Sequence, residues 1–128
     1  VELPELLKTS DFVTLHTPLL PETTKLIGAK ELAMMKPTAI LVNASRGPVV
    51  DQKALYEALR DGVIAGAGLD VYEVEPLPMD DPLRTLENVV LLPHVGSASI
   101  ATRTRMAVIA AENLIAGLKG EPLPCPVN

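Results

Sequence analysis

The stretch Ala39-Ile40-Leu41-Val42-Asn43-Ala44-Ser45-Arg46-Gly47-Pro48-Val49-Val50-Asp51, continued by Gln52 to Asp61 and Gly62, decides how the chain is read. Its first five residues are an aliphatic run closed by a polar one, the pattern of a short strand buried in a parallel sheet. Asp51 stands where an N-cap accepts from the free amides of a first helical turn, and Gly62 stands where a helix ends in a left-handed residue. The unit is therefore strand, polar loop, helix. Phe12-Val13-Thr14-Leu15-His16, Ala65 to Val71 and Val89-Val90-Leu91-Leu92 read as three more such strands, and a helix is expected over Ala29 to Lys36, stopped by Pro37. Strands alternating with helices predict an α/β fold, a doubly wound parallel sheet with right-handed crossovers. Ser99 to Lys119 is expected to form a closing amphipathic helix, with Ile100, Met106, Ile109, Leu114 and Leu118 near helical spacing and Gly120 and Pro122 ending it.

Composition narrows the function classes. The chain has 128 residues, enough for one domain, and 48% hydrophobic against 21% charged residues excludes a disordered polymer. Eleven Lys and Arg against 16 Asp and Glu give a net charge of −5, and the basic residues are scattered, so nucleic acid is not an expected partner. No apolar run approaches the roughly 20 residues of a membrane span, and Val1-Glu2-Leu3-Pro4 lacks the basic flank of a secretory signal. Cys125, the single cysteine, lies between Pro124 and Pro126, which argues against a disulfide or a metal site. These readings place the chain in the cytoplasm. The pair Met34 and Met35 is expected to fill core.

In open parallel sheets, ligands bind outside the carboxyl ends of the strands. The residues just past the four strands are His16-Thr17-Pro18, Asn43-Ala44-Ser45-Arg46-Gly47, Asp70 with Glu73 and Glu75 beyond it, and Pro93-His94-Val95-Gly96-Ser97. Both histidines fall in these connections, as do Pro18, Pro48, Pro76 and Pro93, so the loops are expected to be stiff. The stretch Pro76 to Glu87 is a longer connection than usual.

The run Asn43-Ala44-Ser45-Arg46-Gly47-Pro48-Val49-Val50-Asp51 with Ala54-Leu55, then Gly68-Leu69-Asp70-Val71 with Glu75-Pro76, then Leu92-Pro93-His94-Val95-Gly96-Ser97, resembles the D-isomer-specific 2-hydroxyacid dehydrogenases, with the motifs in the family's order. Leu15-His16-Thr17-Pro18 with Pro21 and Thr23 is similar to the same family's earlier cofactor loop. Glu75-Pro76-Leu77-Pro78 with Asp81-Pro82-Leu83 is most similar to its glyoxylate and hydroxypyruvate reductases. The family's enzymes are more than twice this length. The resemblance therefore implies the second half of a Rossmann-type dinucleotide-binding domain over residues 1–98 and a closing helix and tail, returning towards a substrate domain, over 99–128. A Gly-x-Gly-x-x-Gly turn and an acidic ribose ligand are absent from this stretch; Gly66-Ala67-Gly68 enters a strand and reads as packing glycine.

What the resemblance implies for the residues is specific. Arg46 would pair bidentately with the substrate carboxylate, His94 would be general acid in reduction, and Glu75, rather than Glu73, would be the carboxylate partner that favours the imidazolium. His16, Thr17, Pro18, Thr23, Ala44, Ser45, Arg46, Asp70, His94 and Gly96 would line the cofactor site, Ala44 and Ser45 through backbone and Gly96 by its lack of a side chain. NAD or NADP would be the cofactor, with NADP favoured, and a small 2-oxo acid the substrate of a homodimeric enzyme. The alternatives left open are another 2-hydroxy acid, such as phosphoglycerate or D-lactate, and a dehydrogenase-like binding module of the corepressor kind. A strand that would pair with Phe12–His16 is also implied, so the stretch alone is expected to carry an open apolar edge and to be marginal or inactive by itself.

Overall fold

Each aliphatic run becomes one strand of a single parallel sheet. In the computed structural model, which describes residues 1–126, β1 (Phe12–Leu15), β2 (Ile40–Asn43), β3 (Gly66–Leu69) and β4 (Val89–Leu91) lie in the order β1-β2-β3-β4. Leu15 pairs with Asn43, Asn43 with Leu69 and Leu69 with Leu91, so all four strands end on one line. The connections carrying the motif residues therefore leave from one edge of the sheet. Ala39, Leu41, Val13, Leu15, Ala67 and Leu69 are buried, packed with Ile27, Leu32, Leu55, Leu59 and Ile64. Met35 joins this core and Met34 packs against it. At Gly66 an added Cβ would lie 2.9 Å from Asn88 O, so that glycine admits a neighbouring backbone; at Gly68 the nearest atom is Val42 Cγ2 at 3.9 Å, an ordinary contact. The crowding expected of both glycines holds only for Gly66.

Helix α3 (Gln52–Arg60) has the expected ends. Asp51 Oδ1 accepts from Ala54 N at 3.1 Å, Gly62 sits at φ +68°, and Leu55, Ala58 and Leu59 form the buried stripe. The preceding helix, α2 (Ala29–Leu32), is shorter than the expected 29–36, because the chain leaves α-geometry through turns ahead of Pro37. A first helix, α1 (Leu3–Thr9), was not anticipated: its signals are Pro4 in the first turn and the buried Leu7. Between β3 and β4 the alternation fails, since that crossover holds only a short 3₁₀ turn, Pro82–Thr85, capped by Asp81 and anchored by buried Leu83. Lys25–Ile27 runs beside Pro48–Asp51, with Lys25 N donating to Pro48 O at 2.8 Å and Asp51 N to Ile27 O at 2.9 Å, which ties the connection after β1 to the one after β2.

The chain divides into two compact units, Val1–His94 and Val95–Asn128, a division four residues earlier than the expected one. In the second, α4 (Ile100–Lys119) is capped by Ser99, whose Oγ accepts from Thr102 N, and ends at Gly120 in the left-handed region. Past Gly120, Cys125 N donates to Asn113 Oδ1 at 3.0 Å, and Leu123 lies where a Cβ on Gly117 would touch it, so the tail runs back along α4. Ile100, Met106, Leu114 and Leu118 of this helix are all exposed, and Ala116 is its buried residue. No helix among the described residues is long and apolar enough to cross a membrane, and no cluster of three or more His, Cys, Asp or Glu among them could hold a metal.

Asp51 joins cap and ion pair. Its carboxyl is held below the ordinary carboxylate range chiefly by the hydrogen bond from the Lys25 ammonium, 2.9 Å from Oδ2, and then by the Ala54 amide. A carboxyl lowered in the folded chain contributes stability above its unfolded pKa and loses it as pH falls. Asp51→Ala is expected to cost about 1 kcal/mol in urea unfolding at pH 7, with the difference from the parent shrinking as the pH is taken below the ordinary carboxylate range.

Candidate active site

The site is assembled by the connections that leave β2, β3 and β4. Asn43, at the end of β2, is only 1% exposed. Its Oδ1 accepts from Ser45 N at 3.1 Å and Ser45 Oγ at 2.9 Å, and its Nδ2 donates to Arg46 O at 3.0 Å. One buried amide thus shapes the whole turn that presents Arg46. The arginine itself is exposed, with Nη1 donating to Ser45 O at 2.7 Å.

Gly47 comes next, and its lack of a side chain is a geometric requirement. A Cβ there would fall 1.8 Å from Tyr72 O and 2.6 Å from Glu73 N. The arginine turn therefore lies backbone to backbone on the segment after β3. Gln52 and Glu73 fasten the same two segments: Gln52 N donates to Glu73 Oε1 at 3.1 Å and Glu73 N to Gln52 Oε1 at 3.0 Å. Gln52 Nε2 also reaches Asp81 Oδ2 at 2.8 Å. Glu73 is thereby committed to the start of α3.

Glu75 takes a different partner. Its Oε2 lies 2.7 Å from His94 Nδ1, and its Oε1 accepts from Tyr72 N at 3.1 Å. With a carboxylate at Nδ1, that nitrogen is the donor, which directs the exchangeable proton chemistry to Nε2. Hydrogen bonding to His94 and then to the Tyr72 amide holds the Glu75 carboxyl below its ordinary value, against partial burial and the charge of Asp70. His94 sits at φ +54°, a left-handed backbone that residues other than glycine seldom adopt, shared in this chain by Lys25 at φ +52°.

Two cavities open among these residues. One of about 550 Å³ is lined by Tyr72, Glu75, Leu77, Arg84, Leu92 and His94, among others. Another of about 540 Å³ lies at the ends of β1 and β2, lined by His16, Thr17, Pro18, Leu19, Ala44, Ser45 and Arg46. The second gathers six of the residues expected at a cofactor, and Thr17 Oγ1 is buried with no hydrogen-bond partner among the described residues. A buried hydroxyl of that kind suits a polar ligand atom. His16 Nε2 is 3.0 Å from Thr14 Oγ1. Thr23 lines neither cavity: its hydroxyl donates to Pro18 O at 2.7 Å and accepts from Leu20 N at 2.8 Å, stapling the loop that carries Pro18. Asp70 is buried at the end of β3, its amide donating to Asn43 O at 2.9 Å. Gly96 falls in the second unit, in a turn closed by Ala98 N on Val95 O at 2.8 Å.

In the sequence, Tyr72, Gln52 and Arg84 carry no sign of a role, and Asn43 and Gly47 none beyond the pattern. The signals for them were weak: an amide closing an aliphatic run, a glycine after an arginine, an aromatic residue in a chain whose aromatics are 2% of the total.

The model of the D-isomer specific 2-hydroxyacid dehydrogenase NAD-binding domain matches residues 1–96. A glyoxylate reductase of Korarchaeum cryptofilum is 64% identical over all 128 residues, which cover 39% of that protein. Among solved structures, a Thermus thermophilus protein superposes with a TM-score of 0.96 at 54% identity over the whole chain and 41% of its own. An NADPH-dependent glyoxylate/hydroxypyruvate reductase of Sinorhizobium meliloti, solved with NADP and malonate, gives 0.91 at 39% identity over 98% of this chain and 39% of its own. The chain thus spans about two fifths of the length of the relatives it matches.

Gly47→Ala is expected to cost about 3 kcal/mol, the upper part of the range for forcing extra volume into packed structure, because the atom it meets is backbone. Urea unfolding measures the loss, and a cost within about 0.5 kcal/mol, the usual spread of surface changes, would contradict the contact.

Proposed function

Because the chain belongs to the D-isomer specific 2-hydroxyacid dehydrogenases through their NAD-binding domain, we propose that it forms the catalytic face of a longer NAD(P)H-dependent enzyme reducing glyoxylate or hydroxypyruvate to the 2-hydroxy acid. The observation that carries this reading is the 2.7 Å pair between His94 Nδ1 and Glu75 Oε2. The substrate choice leans on the names of the relatives, glyoxylate reductase and glyoxylate/hydroxypyruvate reductase.

Reduction of a 2-oxo acid adds a hydride to the carbonyl carbon and a proton to the carbonyl oxygen. Arg46 supplies a planar fork for the carboxylate, which fixes the orientation of the carbonyl and withdraws electron density from it. His94 donates from Nε2 to the carbonyl oxygen and, in the reverse direction, takes that proton back. Glu75 accepts from Nδ1–H and so orients the imidazole, and its lowered pKa keeps it ionised across the neutral range. When bound, the dihydronicotinamide supplies the hydride. Its holders would be Thr17, through its unpartnered hydroxyl, with His16, Pro18, Ala44, Ser45 and Arg46 around the same cavity and Asp70, His94 and Gly96 from the later strand ends. Thr23 would act on this group only through the loop it staples. NADPH is favoured by the Sinorhizobium meliloti relative, which is named NADPH-dependent.

In the full-length polypeptide, His94→Gln is expected to lower kcat for glyoxylate reduction by about 10²–10⁴-fold, the usual worth of a general acid. Arg46→Gln is expected to raise KM for the 2-oxo acid as well as lower kcat. Loss of nicotinamide absorbance at saturating cofactor measures both, and parent-like turnover by the His94 variant would overturn the assignment.

A further inference from the structure

Tyr72 touches three parts of the site at once. Its amide donates to Glu75 Oε1 at 3.1 Å, and its carbonyl occupies the space that a Cβ on Gly47 would need. The residue is 6% exposed, and its hydroxyl lies 2.8 Å from Leu92 O and 3.3 Å from Leu69 O. A phenol has one proton to give, and the shorter contact takes it to Leu92, two residues before His94. Leu69 closes β3 and Leu92 comes directly after the last residue of β4; Leu92 N donates to Leu69 O at 2.8 Å, and the hydroxyl adds a side-chain tie to this last rung. Burial raises the phenol above its ordinary pKa, so the donor persists throughout the neutral range.

Packing alone does not account for the oxygen. A phenylalanine would fill the same space, and Leu92 is half exposed, so water could serve its carbonyl. What the hydroxyl adds is position. His94 holds a left-handed backbone two residues on, with its imidazole 2.7 Å from Glu75. Fixing Leu92 O to the ring whose own amide fixes Glu75 Oε1 makes one residue the reference for both members of the pair. We propose that Tyr72 is a positioning residue for the reaction, its hydroxyl holding the end of β4 so that His94 meets Glu75 in register.

This proposal rests on the catalytic reading of His94 and Glu75, and the test separates the two. Tyr72→Phe is made in the full-length polypeptide, together with Glu75→Gln and the double variant. Tyr72→Phe is expected to lower kcat about tenfold with dinucleotide Kd within about twofold of the parent, and to weaken or broaden the downfield proton resonance of His94 Nδ1–H. The double variant is expected to be little slower than Glu75→Gln, because both changes act through the same pair. Unchanged kcat and an unchanged His94 resonance in a folded Tyr72→Phe protein would overturn the positioning role. So would fully multiplicative losses in the double variant, which would mean that the hydroxyl acts elsewhere. Parent-like turnover by Glu75→Gln would instead remove the catalytic reading while leaving the resonance to report on Tyr72. A Tyr72→Phe protein that loses melting temperature but keeps both kcat and the resonance would reduce the hydroxyl to a structural staple.

Discussion

Everything at the strand ends depends on a contact between two pieces of backbone. Gly47 lies against the Tyr72–Glu73 peptide with less room than a methyl group needs. The connection after β2 presents Arg46, and the connection after β3 presents Glu75. These belong to separate crossovers, and neighbouring strands alone would leave both free to move. The missing side chain at 47 lets them dock, and the reciprocal hydrogen bonds of Gln52 and Glu73 hold the docked position. Their geometry leaves Glu75 as the carboxylate that reaches His94.

The order of dependence runs from sheet to site. Parallel strands in matched register end together, so Asn43, Leu69 and Leu91 stand side by side. Because a parallel ladder stops there, the next polar groups must find partners within the connections. Asn43 satisfies the arginine turn, Tyr72 the ends of β3 and β4, and Asp81 the turn at Leu83. Preorganised charge is what the proposed reaction asks of this face, since groups already aligned need no rearrangement as charge develops on the carbonyl oxygen.

Much of this was legible in the residues. Four aliphatic runs became four strands, Asp51 and Gly62 became the ends of α3, and the polar residues closing each run came to one edge of the sheet. The pairing of Glu75 with His94 was also anticipated, although only by resemblance, because nothing in a 19-residue separation distinguishes Glu75 from Glu73. What separates them is that Glu73 faces Gln52, a relation set by tertiary contact. Tyr72 and Gly47 were opaque for the same reason: their value lies in atoms from distant segments. The closing helix marks the limit of a periodicity argument. Its apolar residues carry a helical period, yet Ile100, Leu114 and Leu118 are exposed, since a period specifies which side is apolar and not what covers it.

On the proposed reading, the Gly47–Tyr72 contact, the Arg46 turn and the Glu75–His94 pair form one site for a 2-oxo acid. A crystal structure of the full-length polypeptide with dinucleotide and an unreactive 2-oxo acid analogue tests it most directly. The analogue's carboxylate is expected on the Arg46 guanidinium, its oxo-equivalent oxygen within hydrogen-bond distance of His94 Nε2, and Glu75 still on Nδ1. An analogue bound away from Arg46 and His94, or a Glu75 turned from His94 when the site is filled, would contradict it.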